Sequence, residues 1–185
     1  MHDRRDAALC YSRVAMLFHW TIAALVIANL AIGLFHDALP GGSIPAHKAI
    51  GLTVLALTAA RLGWRLLHPA PPLPAHTPAW ERAAAHATHW MLYLLMVAMP
   101  LTGWLMVSGG PTPRPTSWFG LAQVPPLPVG RAAGGFGHEA HELLGWLMLA
   151  LVVLHVAAAL RHHLLLRDGV LGRMAPWFDR SFRRG

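Results

Sequence analysis

The chain has 185 residues, of which 55% are hydrophobic and only 12% charged, about half the charged share of an ordinary soluble domain. With a mean hydropathy of +0.44, that balance argues against a soluble, secreted or nucleic-acid-binding protein and for one that lives in a bilayer. The net charge of +7 does not mark a polyanion site, because the Lys and Arg residues gather at the ends of apolar runs rather than in one patch.

Four apolar runs are each long enough to cross about 30 Å of hydrocarbon as a helix. The first, about Val14 to Phe35, follows a short charged leader and is too long for a signal-peptide core, so it is expected to be an uncleaved membrane helix. The second, about His47 to Leu67, starts after the turn signals Gly41, Gly42 and Pro45 and ends before a proline-rich connector, His68 to Pro78. A third, about His86 to Val107, contains Pro100, which removes a backbone hydrogen bond and is expected to kink it. Ser108 to Gly137 is expected to be a loop rich in proline and glycine. The fourth span, about His138 to Leu166, leads into a short basic C-terminal tail. The expected architecture is all-α: a single antiparallel four-helix transmembrane domain over residues 1–185.

Twelve of the fifteen Lys and Arg residues fall on one side of these spans: Arg4, Arg5, Arg13, Arg61, Arg65, Arg82, Arg161, Arg167, Arg173, Arg180, Arg183 and Arg184. Cytoplasmic flanks collect such residues, so both termini are expected on the inner side of the membrane. The other side holds Lys48, Arg114 and Arg131 against Asp37, Glu139 and Glu142, a formal charge of zero.

Cys10 is the sole cysteine, which excludes an internal disulfide, a thiolate cage for an iron–sulfur cluster or zinc, and paired-cysteine haem attachment. Thirteen histidines remain as metal-ligand side chains. An imidazole at membrane depth is costly without a partner, so those within the spans are functional candidates. His141 and His155 stand 14 residues apart, which places them about 40° apart around one helix and about 21 Å apart along it. That spacing suits two stacked haem irons, one near the outer surface and one in the inner half of the bilayer. His47 opens the second span at the depth of His141. Both His19 and His89 lie at a depth that suits His155, and depth alone does not choose between them. Histidines near helix ends, namely His2, His36, His68, His76, His86 and His163, read as interfacial side chains. Trp20, Trp90, Trp104, Trp146 and Trp177 fall mostly where an aromatic belt would place them. The small residues Gly145 and Ala157 to Ala159 suit either close helix packing or room for a flat macrocycle. A non-haem metal site built from the histidines is the remaining alternative.

Four stretches resemble the bacterial cytochrome b561 family: Tyr11-Ser12-Arg13 through Phe18-His19-Trp20, then His47-Lys48-Ala49-Ile50-Gly51, then Leu154 to His163, and Arg167-Asp168-Gly169. The resemblance spans about Tyr11 to Pro176. It implies a four-helix inner-membrane protein with two haems b, the inner iron held by His19 and His155, the outer by His47 and His141, and it disfavours His89. It also implies superoxide:ubiquinone oxidoreductase (superoxide oxidase) activity, taking electrons from superoxide at the periplasmic face to ubiquinone near the cytoplasmic one. On that reading His162, about 10 Å beyond His155, donates a hydrogen bond or proton to a quinone oxygen; the plainer reading is an interfacial histidine beside Arg161. Arg13, Arg61 and Arg65 are placed to pair haem propionates or to serve as positive flanks. Lys48, with Arg114 and Arg131, stands where an anionic substrate would arrive, although the zero formal outer charge guarantees no steering. The alternative function is an electron carrier between the quinone pool and a periplasmic redox protein.

Overall fold

The computed structural model describes residues 10–39, 41, 43–69, 71 and 77–176; the expectations for His2, Arg4, Arg5, His76, Trp177, Arg180, Arg183 and Arg184 lie outside them. Four helices dominate: α1 Arg13–Leu34, α2 Ser43–Leu67, α3 Ala79–Ser108 and α4 Arg131–Arg161, the last running on into a π-helical turn, His162–Leu166. All four are long and apolar enough to cross a membrane. Their apolar side chains point mostly outward, with Leu17, Leu143 and Val153 well exposed, as expected where lipid rather than water is the surrounding solvent. The buried residues form a narrow cluster along the bundle axis, including Ile22, Val26, Val54, Leu95 and Met148.

Three helix starts differ from the sequence expectation. α2 begins at Ser43, four residues before His47, because Pro45 falls in the first turn, where its missing N–H costs nothing. α3 begins at Ala79, directly after Pro78, seven residues before His86. The extra turns are too polar for a hydropathy reading, yet Glu81 receives a hydrogen bond at 3.2 Å from Arg161 at the end of α4. Farther along α3, Pro100 lies within the helix, which runs on through it to Ser108.

α4 begins at Arg131, so the glycines expected in a loop are helical. The reason is contact between backbones. A Cβ on Gly134 would stand 2.7 Å from Gly109 Cα, and one on Gly137 would stand 2.7 Å from the Met106 nitrogen. Small residues let α3 and α4 touch without intervening side chains. The most extensive helix contacts join α3 to α4 and α1 to α2, with a lesser one between α2 and α3; the bundle is thus two helical hairpins laid together.

Between α3 and α4 the expected loop contains a short antiparallel hairpin, β1 Thr116–Trp118 and β2 Ala122–Val124, in the register Thr116 to Val124 and Trp118 to Ala122. Trp118 Nε1 donates to Thr53 Oγ1 on α2 at 3.0 Å, Trp104 Nε1 to the Pro125 carbonyl at 3.0 Å, and the Leu127 N–H to Ser108 Oγ at 2.9 Å. At the opposite end of the bundle, Ser12 caps α1 by accepting from the Ala15 N–H at 3.2 Å. The chain after α4 returns there: Tyr11 N donates to the Arg173 carbonyl at 3.2 Å, and Trp20 Nε1 to that of Met174 at 2.8 Å.

Candidate functional site

The two ends of the bundle interior are related by one spacing. α1 carries His19 and Gly33, α2 His47 and Arg61, α3 His89 and Gly103, and α4 His141 and His155, each pair separated by 14 residues. Because successive helices run in opposite directions, this step of about 21 Å sorts the eight residues into two levels. Gly33, His47, Gly103 and His141 form one level; His19, Arg61, His89 and His155 form the other.

At the first level a cavity of 540 Å³ opens among all four helices, lined mainly by apolar groups such as Val26, Met96 and Met148. That volume lies within the range of about 300–1,000 Å³ common for cofactor and ligand sites. The rings of His47 and His141 face each other there with centroids 6.0 Å apart. Two imidazoles bound end-on to one metal at about 2 Å each would have centroids about 6 Å apart. Each ring is held by its other nitrogen. His47 Nδ1–H donates to the Asn29 carbonyl at 3.1 Å, and His141 Nδ1–H to that of Met99 at 3.0 Å. The Thr102 hydroxyl, which also donates to Met99 O, lies 3.2 Å from His141 Nδ1. Fixing Nδ1 as the donor leaves the Nε2 lone pair for a metal, the usual arrangement of a ligating histidine.

Gly33 and Gly103 make that geometry feasible. A Cβ on either would stand 3.1 Å from Cε1 of His47 or His141, respectively. Sequence reasoning missed both, since it searched for ligands and a glycine is none; the 14-residue step from His19 and His89 was the available signal.

At the second level His19 and His155 have centroids 6.3 Å apart, again the spacing of two ligands on one metal. His89 is closer to His155, at 5.4 Å, tighter than a shared metal would set. Arg61 Nη2 donates to His19 Nδ1 at 3.3 Å and its guanidinium lies 5.4 Å from the Tyr93 ring centroid. Guanidinium has no acceptor, so Nδ1 of His19 is the acceptor here and Nε2 carries the proton. Metal binding through Nε2 therefore requires the proton to move to Nδ1 and Arg61 to let go. Arg61 also lines one small cleft with Arg65 and Trp64, where the buried Trp64 Nε1–H has no partner among the described residues. A carboxylate would satisfy all three. Arg13 is exposed at the first turn of α1 and lines neither this cleft nor the large cavity.

Lys48 lines the large cavity, as do Glu142, His36 and His138, whereas Arg114 and Arg131 are exposed and do not. Beyond the second level, His162 Nδ1 bonds the Asp168 Oδ2 carboxylate oxygen at 2.5 Å, and Asp168 Oδ1 accepts from the Val170 N–H at 3.2 Å. Asp168 was visible in the sequence but without a role. Arg167 and Gly169 on either side adopt positive φ, 51° and 74°, turning the chain back so that the carboxylate meets the helix it has just left. Among the described residues, no three His, Cys, Asp or Glu side chains converge as a non-haem metal site would require.

Comparison with known proteins places these features in context. The family described as prokaryotic cytochrome b561 matches residues 10–177. The chain is 34% identical over 172 residues to "Cytochrome b561 homolog 2" of Escherichia coli (strain K12), covering 89% of this chain and 90% of the relative. It is 29% identical to "Probable superoxide oxidase CybB" of Yersinia pestis, covering 90% and 96%, and 30% identical to "Cytochrome b562" of Cereibacter sphaeroides, covering 89% and 94%.

Proposed function

We propose that this chain, which belongs to the prokaryotic cytochrome b561 family, takes electrons from superoxide at the periplasmic face and delivers them to ubiquinone near the cytoplasmic face. Membership makes it a multi-pass bacterial membrane protein of electron transfer with haem b as cofactor. The finer reading has two haems, one held by His47 and His141 and the other by His19 and His155, with Arg61 and Arg65 on propionates of the latter. The carrying observation is the pair of imidazole couples, with centroids 6.0 and 6.3 Å apart, at two levels of one bundle. Haem held by a pair of these histidines would supply a one-electron couple and leave no open site for oxygen.

The remaining roles fall to side chains. Lys48 offers a positive charge at the mouth of the large cavity, where an anion would approach. Two superoxide anions each lose one electron and leave as dioxygen, while ubiquinone gains both electrons and two protons. His162, its Nδ1 tied to Asp168, presents Nε2 to a quinone oxygen and can pass a proton there. The gathering of Arg61, Arg65, Arg82, Arg161, Arg167 and Arg173 at the His19 end supports a cytoplasmic location for that end and, with it, for both termini. A relative named as a probable superoxide oxidase supports the substrate.

One observation favours a second reading. Glu142 lines the same mouth as Lys48 and offsets its charge, so the steering field is weak and a protein electron partner is an alternative to superoxide. Stopped-flow absorbance separates the two. The oxidised protein, mixed with superoxide, is expected to show haem reduction that dismutase abolishes, followed by reoxidation dependent on added quinone. A haem spectrum that superoxide leaves unchanged would overturn superoxide as donor and favour the protein partner.

A further inference from the structure

The hairpin between α3 and α4 sits in an unexpected place. Thr116 and Val124, at its open end, line the large cavity near His47. Toward its tip, Trp118 reaches Thr53 on α2 with a hydrogen bond of 3.0 Å. Thr53 is six residues past His47 along α2, or about 9 Å farther into the bundle. The hairpin therefore runs from the cavity mouth down the flank of α2, and its tip lies beside an apolar transmembrane surface.

The chemistry of the tip matches that position. Residues 115–130 contain no Asp, Glu, Lys or Arg. Phe119 and Leu121 flank the turn glycine and are exposed, 56% and 83%. Phe119 and Gly120 both have positive φ, 51° and 76°. A turn with two such residues in water ordinarily uses Asn-Gly or Asp-Gly, and a bulky aromatic there is strained. An apolar side chain is thus retained where the backbone prefers a polar one. Two of the tip's backbone donors are also satisfied within the hairpin, as backbone in lipid favours: the Gly120 N–H donates to Ser117 Oγ at 3.1 Å and the Leu121 N–H to the Trp118 carbonyl at 2.9 Å.

We propose that the hairpin tip, Phe119 to Leu121, inserts into the acyl-chain region of the leaflet at the His47 end and anchors the segment that roofs the large cavity. Its occupant is lipid acyl chain, continuous with the lipid that covers the exposed faces of α1 and α2. The anchored strands keep Thr116 and Val124 over the cavity, closing it to lipid from that side.

The test uses the full chain in lipid nanodiscs, with Leu121→Cys or Phe119→Cys in a Cys10→Ser background, each labelled with an environment-sensitive fluorophore. Arg114→Cys, labelled in the same way, is the solvent-exposed reference. Lipids carrying a nitroxide on the upper acyl chain are expected to quench positions 121 and 119 about twofold or more, with aqueous iodide quenching several-fold weaker than at position 114. Efficient iodide quenching without nitroxide quenching would overturn the proposal by placing the tip in water. Protection from both quenchers would overturn it in favour of a protein neighbour, a second copy included. The two labelling positions guard against one variant misfolding, which loss of the haem spectrum would reveal.

Discussion

His162 and Asp168 are joined through Nδ1 and Oδ2 where α4 gives way to its π-helical turn, and their side chains are only 18% and 9% exposed. The carboxylate is itself held by the Val170 N–H, so the pair is a rigid unit with Nε2 of the histidine as its working end. Such a partner fixes the ring's orientation and tautomer.

Asp168→Asn is accordingly expected to leave haem content unchanged and to slow quinone-dependent reoxidation about tenfold or more, the usual cost of removing a positioning partner. His162→Ala should give a comparable loss. Stopped-flow traces with a haem stoichiometry on the same preparation check both. An unchanged rate would make His162 structural.

The ligand assignment predicts a specific pattern. His141→Ala and His155→Ala should each lower haem from two per chain to one, with different halves of the spectrum lost, while His89→Ala keeps both. Pyridine haemochrome quantification reads this directly. Loss of a haem in His89→Ala with retention in a His19→Ala variant would exchange the two ligands.

Gly103→Ala is expected to behave as a site mutation although it removes no functional group. Its Cβ would come within 3.1 Å of His141 Cε1 and 3.2 Å of Nδ1, displacing the ring from the Met99 carbonyl and weakening haem retention at that level alone. Gly33→Ala should act likewise through His47. Gly63→Ala, with nothing within 4 Å of the added carbon, serves as the neutral comparison.

Gly137→Ala is expected to destabilise the whole bundle rather than one site. The added carbon would stand 2.7 Å from a backbone nitrogen of α3, and backbone cannot move aside as a side chain tip does, so a cost of about 1–3 kcal/mol or more follows. Gly135→Ala, which meets nothing within 4 Å, should be tolerated. Thermal unfolding in detergent compares the two.

The four spans were legible because hydropathy over twenty residues reports directly on what a bilayer accepts. The 14-residue step between His141 and His155 was legible for a similar reason: one helix converts sequence distance into depth and facing without reference to any neighbour. What failed to show depended on neighbours. Gly134 and Gly137 read as loop because nothing local reveals the α3 backbone awaiting them, and the hairpin lacked both alternation and an Asn-Gly turn. The two turns that extend α3 to Ala79 were hidden by their polarity, and Glu81 finds Arg161 only after the chain has crossed the membrane twice more. Asp168 lay in plain view beside Gly169, but only the reversal of the chain brings it to His162.

The division of the bundle into two helical hairpins bears on how the protein comes together. With the ligation proposed above, each iron draws one histidine from α1 or α2 and one from α4, so each bound cofactor rivets one hairpin to the other. Across that seam the helices share less protein contact than within either half. The apoprotein would then be two preassembled pieces held loosely, and cofactor supply would set how much of the chain survives membrane quality control.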